Sequence, residues 1–501
     1  MNNLASPEAT SAHSQMSAGF LPPSVWNERF YSSGWRKAAT DAEVIAPGSG
    51  ELLGHTGMAS GSDVSYAAMQ AQAGQKAWEA TGYDARAETL RKAAHLTEQH
   101  RDEIVGWLIR ESGSVRAKAE FEVAVTIKCL YEASAMPSQP SGHVLPSEAG
   151  RISLARRRPI GVIGVISPFN FPLYLAMRAV APALAVGNAV VLKPDPRTAV
   201  CGGFVIARIF ELAGLPIDVL HVLPGGRDAG ETLCRDGRVG MIQFTGSTNA
   251  GRAVGELAGR HLKKVSLELG GKNSLIVLDD ADLDLAVVNA AWSVFLHQGQ
   301  ICMSAGRILV QAGIAKEFVE RLAAKARVLP VGDPASQDVA LGPLINQHQV
   351  DNVSRIVAAS IAEGATVAAG GKANGLFFEP TVLADVQPGM TAFNEEIFGP
   401  VASVCTFDTD EDAVALANDT EFGLSAGIIS RSVGRAMRIG EQLRVGLLHI
   451  NDQTVNDEVV NPFGGVGASG NGSSIGGPAN WDEFTQWQWL TVKGAPPSYP
   501  F

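Results

Sequence analysis

Between Ile160 and Gly270 the chain alternates short β-branched runs with helical segments, and this alternation restricts the fold more than any other feature. Ile160–Ile166, Ala189–Leu192, Val219–Val222 and Met241–Phe244 read as strands. Helices are expected after Pro172, after Thr198, from about Asp228 and from Ser247. Strand–helix repetition of this kind builds parallel βαβ units. Parallel sheets bind ligands beyond the carboxyl ends of their strands. Chemistry is therefore expected at Pro168–Phe171, Lys193–Arg197, Gly225–Gly226 and Thr245–Ser247, each of which follows a strand. A second α/β stretch runs from Gly270 to about Gly470.

Upstream, apolar and small residues recur at helical spacing over Asp63–Ala80, with Ser62 or Asp63 as the cap. Further helices are expected over Asp84–Glu111, in two pieces, and over Val115–Ala135. The Pro/Ser/Gly stretch Met136–Gly150 then interrupts the chain. Near the C-terminus, Phe484–Val492 alternates Gln, Trp and Leu and reads as a strand without a neighbour of its own. Such a strand is expected to pair with another element or subunit. Residues 1 to 20 read as a flexible tail.

The charge balance narrows the partners. Acidic residues outnumber basic ones 51 to 40, for a net charge of −11. A phosphate-backbone binder needs the opposite sign, so neither nucleic acid nor an anionic membrane is an expected partner. The five cysteines are odd in number, widely spaced and without a CxxC pair. No disulfide framework and no metal site are expected, and free thiols suit a reducing compartment. The longest strongly apolar stretch, Ala179–Leu192, is broken by Pro182, Gly187 and Asn188. It falls short of the roughly 20 apolar residues of a spanning helix. The N-terminus lacks the basic and apolar regions of a signal peptide. A soluble, cytoplasmic protein is expected.

Several residues stand out chemically. Cys302 lies in Gln298-Gly299-Gln300-Ile301-Cys302-Met303-Ser304, after the apolar helix Leu283–Leu296. A lone cysteine is ordinarily a small buried hydrophobe, but these Gly, Gln and Ser neighbours are not packing residues, and a thiol is a strong nucleophile. Glu268, in Leu267-Glu268-Leu269-Gly270-Gly271, sets one carboxylate in an apolar strand, where a raised pKa suits a general base. Asn170, in Pro168-Phe169-Asn170-Phe171-Pro172, is either a turn residue or a rigid oxyanion donor. Gly246 and Ser247 form a strand–turn–helix junction suited to phosphate, although the spacing is not GxGxxG. Lys193 ends a strand.

Taken in order and at these spacings, Glu268-Leu269-Gly270-Gly271 and Gly299-Gln300-Ile301-Cys302 resemble the NAD(P)-dependent aldehyde dehydrogenases. Glu395-Glu396-Ile397-Phe398-Gly399-Pro400 and Pro462-Phe463-Gly464-Gly465 extend the resemblance, which covers nearly the whole chain from about residue 30. His297–Arg307 and Asn451–Glu458 look most like the benzaldehyde dehydrogenase group. The resemblance implies an α/β fold with a Rossmann-type cofactor-binding domain (21–135 and 159–269) and an α/β catalytic domain (270–470). It also implies a small β oligomerisation flap (136–158 and 484–501) in a homodimer or homotetramer. Cys302 would attack an aldehyde, with Asn170 and the Cys302 N–H as oxyanion donors and Glu268 as the base that hydrolyses the thioester. Lys193 and Glu396 would hold the two riboses of NAD, Gly246 and Ser247 the pyrophosphate, and Phe398 would lie near the nicotinamide. Phe169, Tyr174, Phe295 and Phe463 would line a tunnel for an aromatic aldehyde.

There are departures from the family pattern. Many NAD-preferring members carry a Glu three residues after the lysine; here that position is Pro196, flanked by Asp195 and Arg197. NAD is favoured by the resemblance to the benzaldehyde group, and NADP stays open. Phe169 stands where a Trp is common. Aliphatic or semialdehyde substrates are the alternative; a semialdehyde carboxylate would need a cation such as Arg178 or Arg307. Glu268 speaks against a coenzyme A-acylating relative, and the joint presence of Cys302, Glu268 and Asn170 speaks against a purely structural protein.

Overall fold

The computed structural model describes residues 19–501. The expected tail lies outside the described residues except for its last two positions, and there the expectation fails. Phe20 is buried; its N–H and that of Leu21 donate to the Glu103 carboxylate at 2.7 and 2.9 Å. The Phe20 ring also stacks on His100.

The strand–helix alternation builds a seven-stranded sheet. Its order is Lys264–Glu268, Val239–Thr245, Val162–Ile166, Ala189–Lys193, Leu220–Val222, Arg29–Tyr31, Trp35–Lys37. The first five strands run parallel, and the two N-terminal ones are antiparallel additions. Those two span three residues each, too few to show any alternation. Strand order reverses between Val162–Ile166 and Val239–Thr245, and the crevice at such a reversal is where doubly wound sheets bind ligands. The segments holding Asn170 and Ser247 follow these two strands.

Helix Gly61–Ala80 packs beside this sheet and starts two residues before the expected point. Ser60 is its cap: the hydroxyl accepts from Asp63 N and the Asp63 carboxylate accepts from Ser60 N, a reciprocal box. Helix Pro172–Ala185 is apolar almost all round and buried along its length except at Leu175, as a helix between two layers must be.

The second seven-stranded sheet has the order Thr366–Ala369, Thr381–Ala384, Val401–Phe407, Arg307–Gln311, Ser274–Val277, Ser425–Ile429, Leu447–Ile450. All of its neighbours are parallel except the first pair. The C-terminal strand Thr485–Lys493 finds its partner within the chain, pairing antiparallel with Arg151–Pro159 from Thr485↔Pro159 to Lys493↔Arg151. Gly142–Val144 completes this three-stranded sheet. Among the described residues, no helix is long and apolar enough to cross a membrane.

Candidate active site

Cys302 sits on a loop between helix Leu283–Phe295 and strand Arg307–Gln311. His297, Gln298 and Gly299 all adopt positive φ (49°, 55° and 69°). For the two non-glycines this conformation costs about 1–3 kcal/mol each, so the surroundings must enforce it. Gln298 Nε2 donates to Pro343 O at 2.8 Å, and Gln300 Oε1 accepts from Ile345 N at 3.0 Å. Asn273 Nδ2 holds the Cys302 carbonyl at 2.8 Å, and Thr454 Oγ1 holds that of Met303 at 2.7 Å. A Cβ on Gly271 would lie 2.5 Å from the Cys302 carbonyl oxygen, so only glycine fits beneath the loop. Burial, reinforced by the carboxylates of Glu396, Glu268 and Asp457, pushes the Cys302 thiol up to about 12. The other four cysteines are buried, as ordinary apolar residues.

Asn170 occupies the turn between Val162–Ile166 and Pro172–Ala185. Its Nδ2 donates to Gln300 O at 3.0 Å, tying it to the Cys302 loop. The amide has a second N–H to offer. Its own carbonyl accepts from the buried Lys118 at 2.8 Å.

Glu268 ends the edge strand of the first sheet, bridged to Gly470. Both its carboxylate oxygens are buried without a hydrogen-bond partner among the described residues. Burial raises its pKa well above the usual carboxylate range; Arg178 opposes the rise, and Asp457 and Glu483 add to it. Glu268, Cys302 and Arg178 line one small cavity of about 20 Å³. That is room for one water.

A larger cavity of about 740 Å³ reaches Cys302 and Asn170 from the other side. Its walls include Phe171, Tyr174, Trp292, Leu296, Val459 and Phe463. Of the four aromatics expected in the tunnel, Tyr174 and Phe463 line it. Phe295 does not: it is 3% exposed and points into the core under the second sheet. Trp292, earlier on the same helix, and Leu296, at its C-cap, face the cavity instead. Phe169 is also absent from the walls; it packs edge-on against Phe398 at 5.9 Å. Neither cation considered for a semialdehyde is free. Arg178 is buried against Asp457, and Arg307 donates to the carbonyls of Leu416, Asp419, Lys272 and Ala417.

Residues 35–490 match the model of the aldehyde dehydrogenase family. The chain belongs to the aldehyde dehydrogenase family. A vanillin dehydrogenase of Amycolatopsis sp. is 54% identical over 96% of this chain and 100% of its own. A benzaldehyde dehydrogenase [NAD(+)] of Pseudomonas putida is 49% identical over 95% of this chain and 98% of its own. Among solved structures, an NADP-dependent enzyme of E. coli superposes with a TM-score of 0.91 at 34% identity, covering 94% of this chain and 99% of that one.

Membership in the aldehyde dehydrogenase family makes this chain an NAD(P)-dependent oxidoreductase, and a dinucleotide must fit beside the site. Glu396 accepts from Gly271 N at 3.0 Å, and a Cβ on Gly270 would lie 2.3 Å from its carboxylate. Burial pushes the Glu396 carboxyl up to about 7, opposed by the Gly271 N–H and Lys272. Phe398 holds a positive φ of 52° beside it. Lys193 ends its strand largely covered, and burial lowers its pKa. Ser247 caps helix Thr248–Arg260, accepting from Ala250 N at 3.4 Å, with Gly246 in the turn before it. That helix start, at the carboxyl edge of a parallel sheet, is a fit for pyrophosphate. Arg197 is not free for a phosphate: Asp195 pairs with it at 2.6 Å, and its guanidinium stacks on Phe169 at 4.2 Å.

The sequence reading missed Lys118, Phe121 and Val125, which line the large cavity from helix Arg116–Ala135. Their i, i+3, i+7 spacing on an otherwise undistinguished helix was the only available signal.

Proposed function

We propose that this aldehyde dehydrogenase oxidises an aromatic aldehyde of the benzaldehyde type to its carboxylic acid, using NAD. The observation that carries the reading is the aromatic-lined cavity ending at Cys302 and Asn170. A flat ring gains there from burial at about 25 cal/mol per Å², and the two buried cations at the site, Lys118 and Arg178, are already paired with Glu122 and Asp457. The names of the vanillin and benzaldehyde relatives point the same way.

In this reading the Cys302 thiol gives its proton to the Glu268 carboxylate through the small cavity they share, Glu268 passes it on to solvent, and the thiolate attacks the aldehyde carbon. The oxyanion that forms is met by the Asn170 amide and the Cys302 N–H. When bound, the dinucleotide supplies the acceptor for the hydride that leaves the thiohemiacetal carbon. Lys193 and Glu396 would hold its riboses, Gly246 and Ser247 its pyrophosphate, and Phe398, against which Phe169 packs, would lie near its nicotinamide. Glu268, with its raised pKa, takes a proton from water, which then cleaves the thioester.

The three-stranded sheet serves as the assembly surface of a homodimer or homotetramer. Val144, Ile152 and Val492 share one of its faces and lie exposed at 81%, 56% and 47%, an apolar patch of the kind that marks an interface.

The test is a panel of benzaldehyde, acetaldehyde and succinate semialdehyde with each cofactor. The expected result is the highest kcat/KM for benzaldehyde with NAD. A preference for succinate semialdehyde would overturn the substrate assignment.

A further inference from the structure

The water-sized cavity between Glu268 and Cys302 has three further polar residues in its wall; the Thr245 hydroxyl is partnered by Gln243 Nε2, which leaves Arg178 and Gln243. Each presents a buried atom without a partner among the described residues, Arg178 Nε and Gln243 Oε1. The rest of each side chain is already committed. Arg178 Nη1 pairs with Asp457, Nη2 donates to Ile475 O at 2.9 Å, and the guanidinium stacks on Phe463 at 4.6 Å. Gln243 Nε2 donates to Thr245 Oγ1 at 3.2 Å. Orphaned polar atoms in a core are costly, so a cluster of them around one small space calls for a shared partner.

We propose that Arg178 and Gln243 are positioning residues that hold the hydrolytic water between Glu268 and Cys302. The inference rests on the reading of Cys302 as nucleophile and Glu268 as base. The donor and acceptor count fits a single water. Arg178 Nε–H donates to its oxygen, and its two protons go to Glu268 and to Gln243 Oε1. One lone pair is left for attack. The water oxygen bonds to the thioester carbon as Glu268 takes one proton. The C–S bond then breaks, the electron pair returns to Cys302 Sγ, and the carboxylic acid is released. Arg178 also supplies the positive charge that opposes the other groups facing Glu268: Asp457 from the adjoining loop, Glu483 from helix Ala479–Phe484, and Cys302 across the cavity. It thereby keeps the base ionised to lower pH.

The test uses Arg178→Met and Gln243→Met in the full-length enzyme with benzaldehyde and NAD. In each variant rapid mixing should show an NADH burst near one equivalent per site, at a rate within about threefold of the wild type. Steady-state turnover should fall about ten- to a hundredfold, the cost of misplacing a reactant by about 1 Å. In Arg178→Met the acid limb of the steady-state profile should move to higher pH; in Gln243→Met it should stay. Gln243→Met leaves the Arg178–Asp457 pair intact, so it reports even if Arg178→Met folds poorly. Wild-type turnover in both variants, a burst slowed in parallel with turnover, or an unmoved acid limb in a folded Arg178→Met would overturn the proposal. Failure of the underlying reading looks different: acid-quenched wild-type enzyme would carry no acyl group on Cys302 by mass spectrometry.

Discussion

The ammonium of Lys118 donates to the main-chain carbonyl of Asn170 at 2.8 Å, across 52 positions of sequence. The same ammonium pairs with Glu122 at 2.5 Å, and Glu122 Oε1 accepts the N–H groups of Leu173 and Tyr174 at 2.9 and 3.1 Å. One buried ion pair thus clamps both the turn that carries Asn170 and the first turn of the helix that follows. Breaking such a pair from one side leaves an uncompensated charge. Lys118→Met should therefore destabilise the protein by about 3–5 kcal/mol. Chemical denaturation would check this, and an unchanged midpoint would mean the pair is dispensable.

Removing the amide itself separates placement from chemistry. Asn170→Ala should slow thiohemiacetal formation and hydride transfer by about 10²–10³-fold, the usual loss for one oxyanion donor. The NADH burst rate reports it. An unchanged burst would reduce Asn170 to a turn residue.

The pH dependence follows from Glu268. The carboxylate is the active form, so turnover should rise with pH through its pKa. Burial sets that pKa well above 4.5. Glu268→Gln should abolish this limb and cut thioester hydrolysis by about 10²–10⁴-fold while the first NADH equivalent still forms. Wild-type steady-state turnover in Glu268→Gln would remove the residue from the mechanism.

How much of this was legible in the sequence depended on the range of the contacts involved. The βαβ rhythm is local, so the parallel core and the strand-end positions of Asn170, Lys193, Ser247 and Glu268 could be read directly. Which face of a helix meets a cavity depends on its partners. Phe295 was therefore expected at the tunnel although Trp292 lines it, and Phe169 although it braces Phe398. The Lys118–Asn170 clamp and the Asp195–Arg197 pair differ in the same way. The first joins distant segments and leaves no trace in spacing. The second is two residues long, yet whether Arg197 meets Asp195 or a ligand depends on the fold around it, where its guanidinium also lies over the Phe169 ring.

That pair makes a prediction about cofactor choice. Asp195 accepts from Arg197 N, Nε and Nη2 at 3.0, 2.8 and 2.6 Å, and so fixes the guanidinium. Asp195→Ala should release it to meet a 2′-phosphate. The ratio of kcat/KM for NADP to that for NAD should rise by about tenfold, the worth of one charge-assisted contact of about 1.5 kcal/mol. An unmoved ratio would place the ribose elsewhere.

The last prediction concerns Trp292. It lines the large cavity, is 51% exposed, and packs against no second aromatic ring among the described residues. Truncating it should cost the fold little and the substrate more. If a benzene ring covers about 50 Å² against the indole, the lost burial is worth about 1.3 kcal/mol, or about tenfold in binding. Trp292→Ala should thus lower kcat/KM for benzaldehyde by about that factor, mostly through KM, because the interaction is the same in ground and transition states. Acetaldehyde, too small to reach the indole and Cys302 together, should be unaffected, which controls for damage to the Cys302 loop downstream of the helix. Equal losses for both aldehydes would mean that Trp292 supports the loop and that the ring is bound by other walls of the cavity.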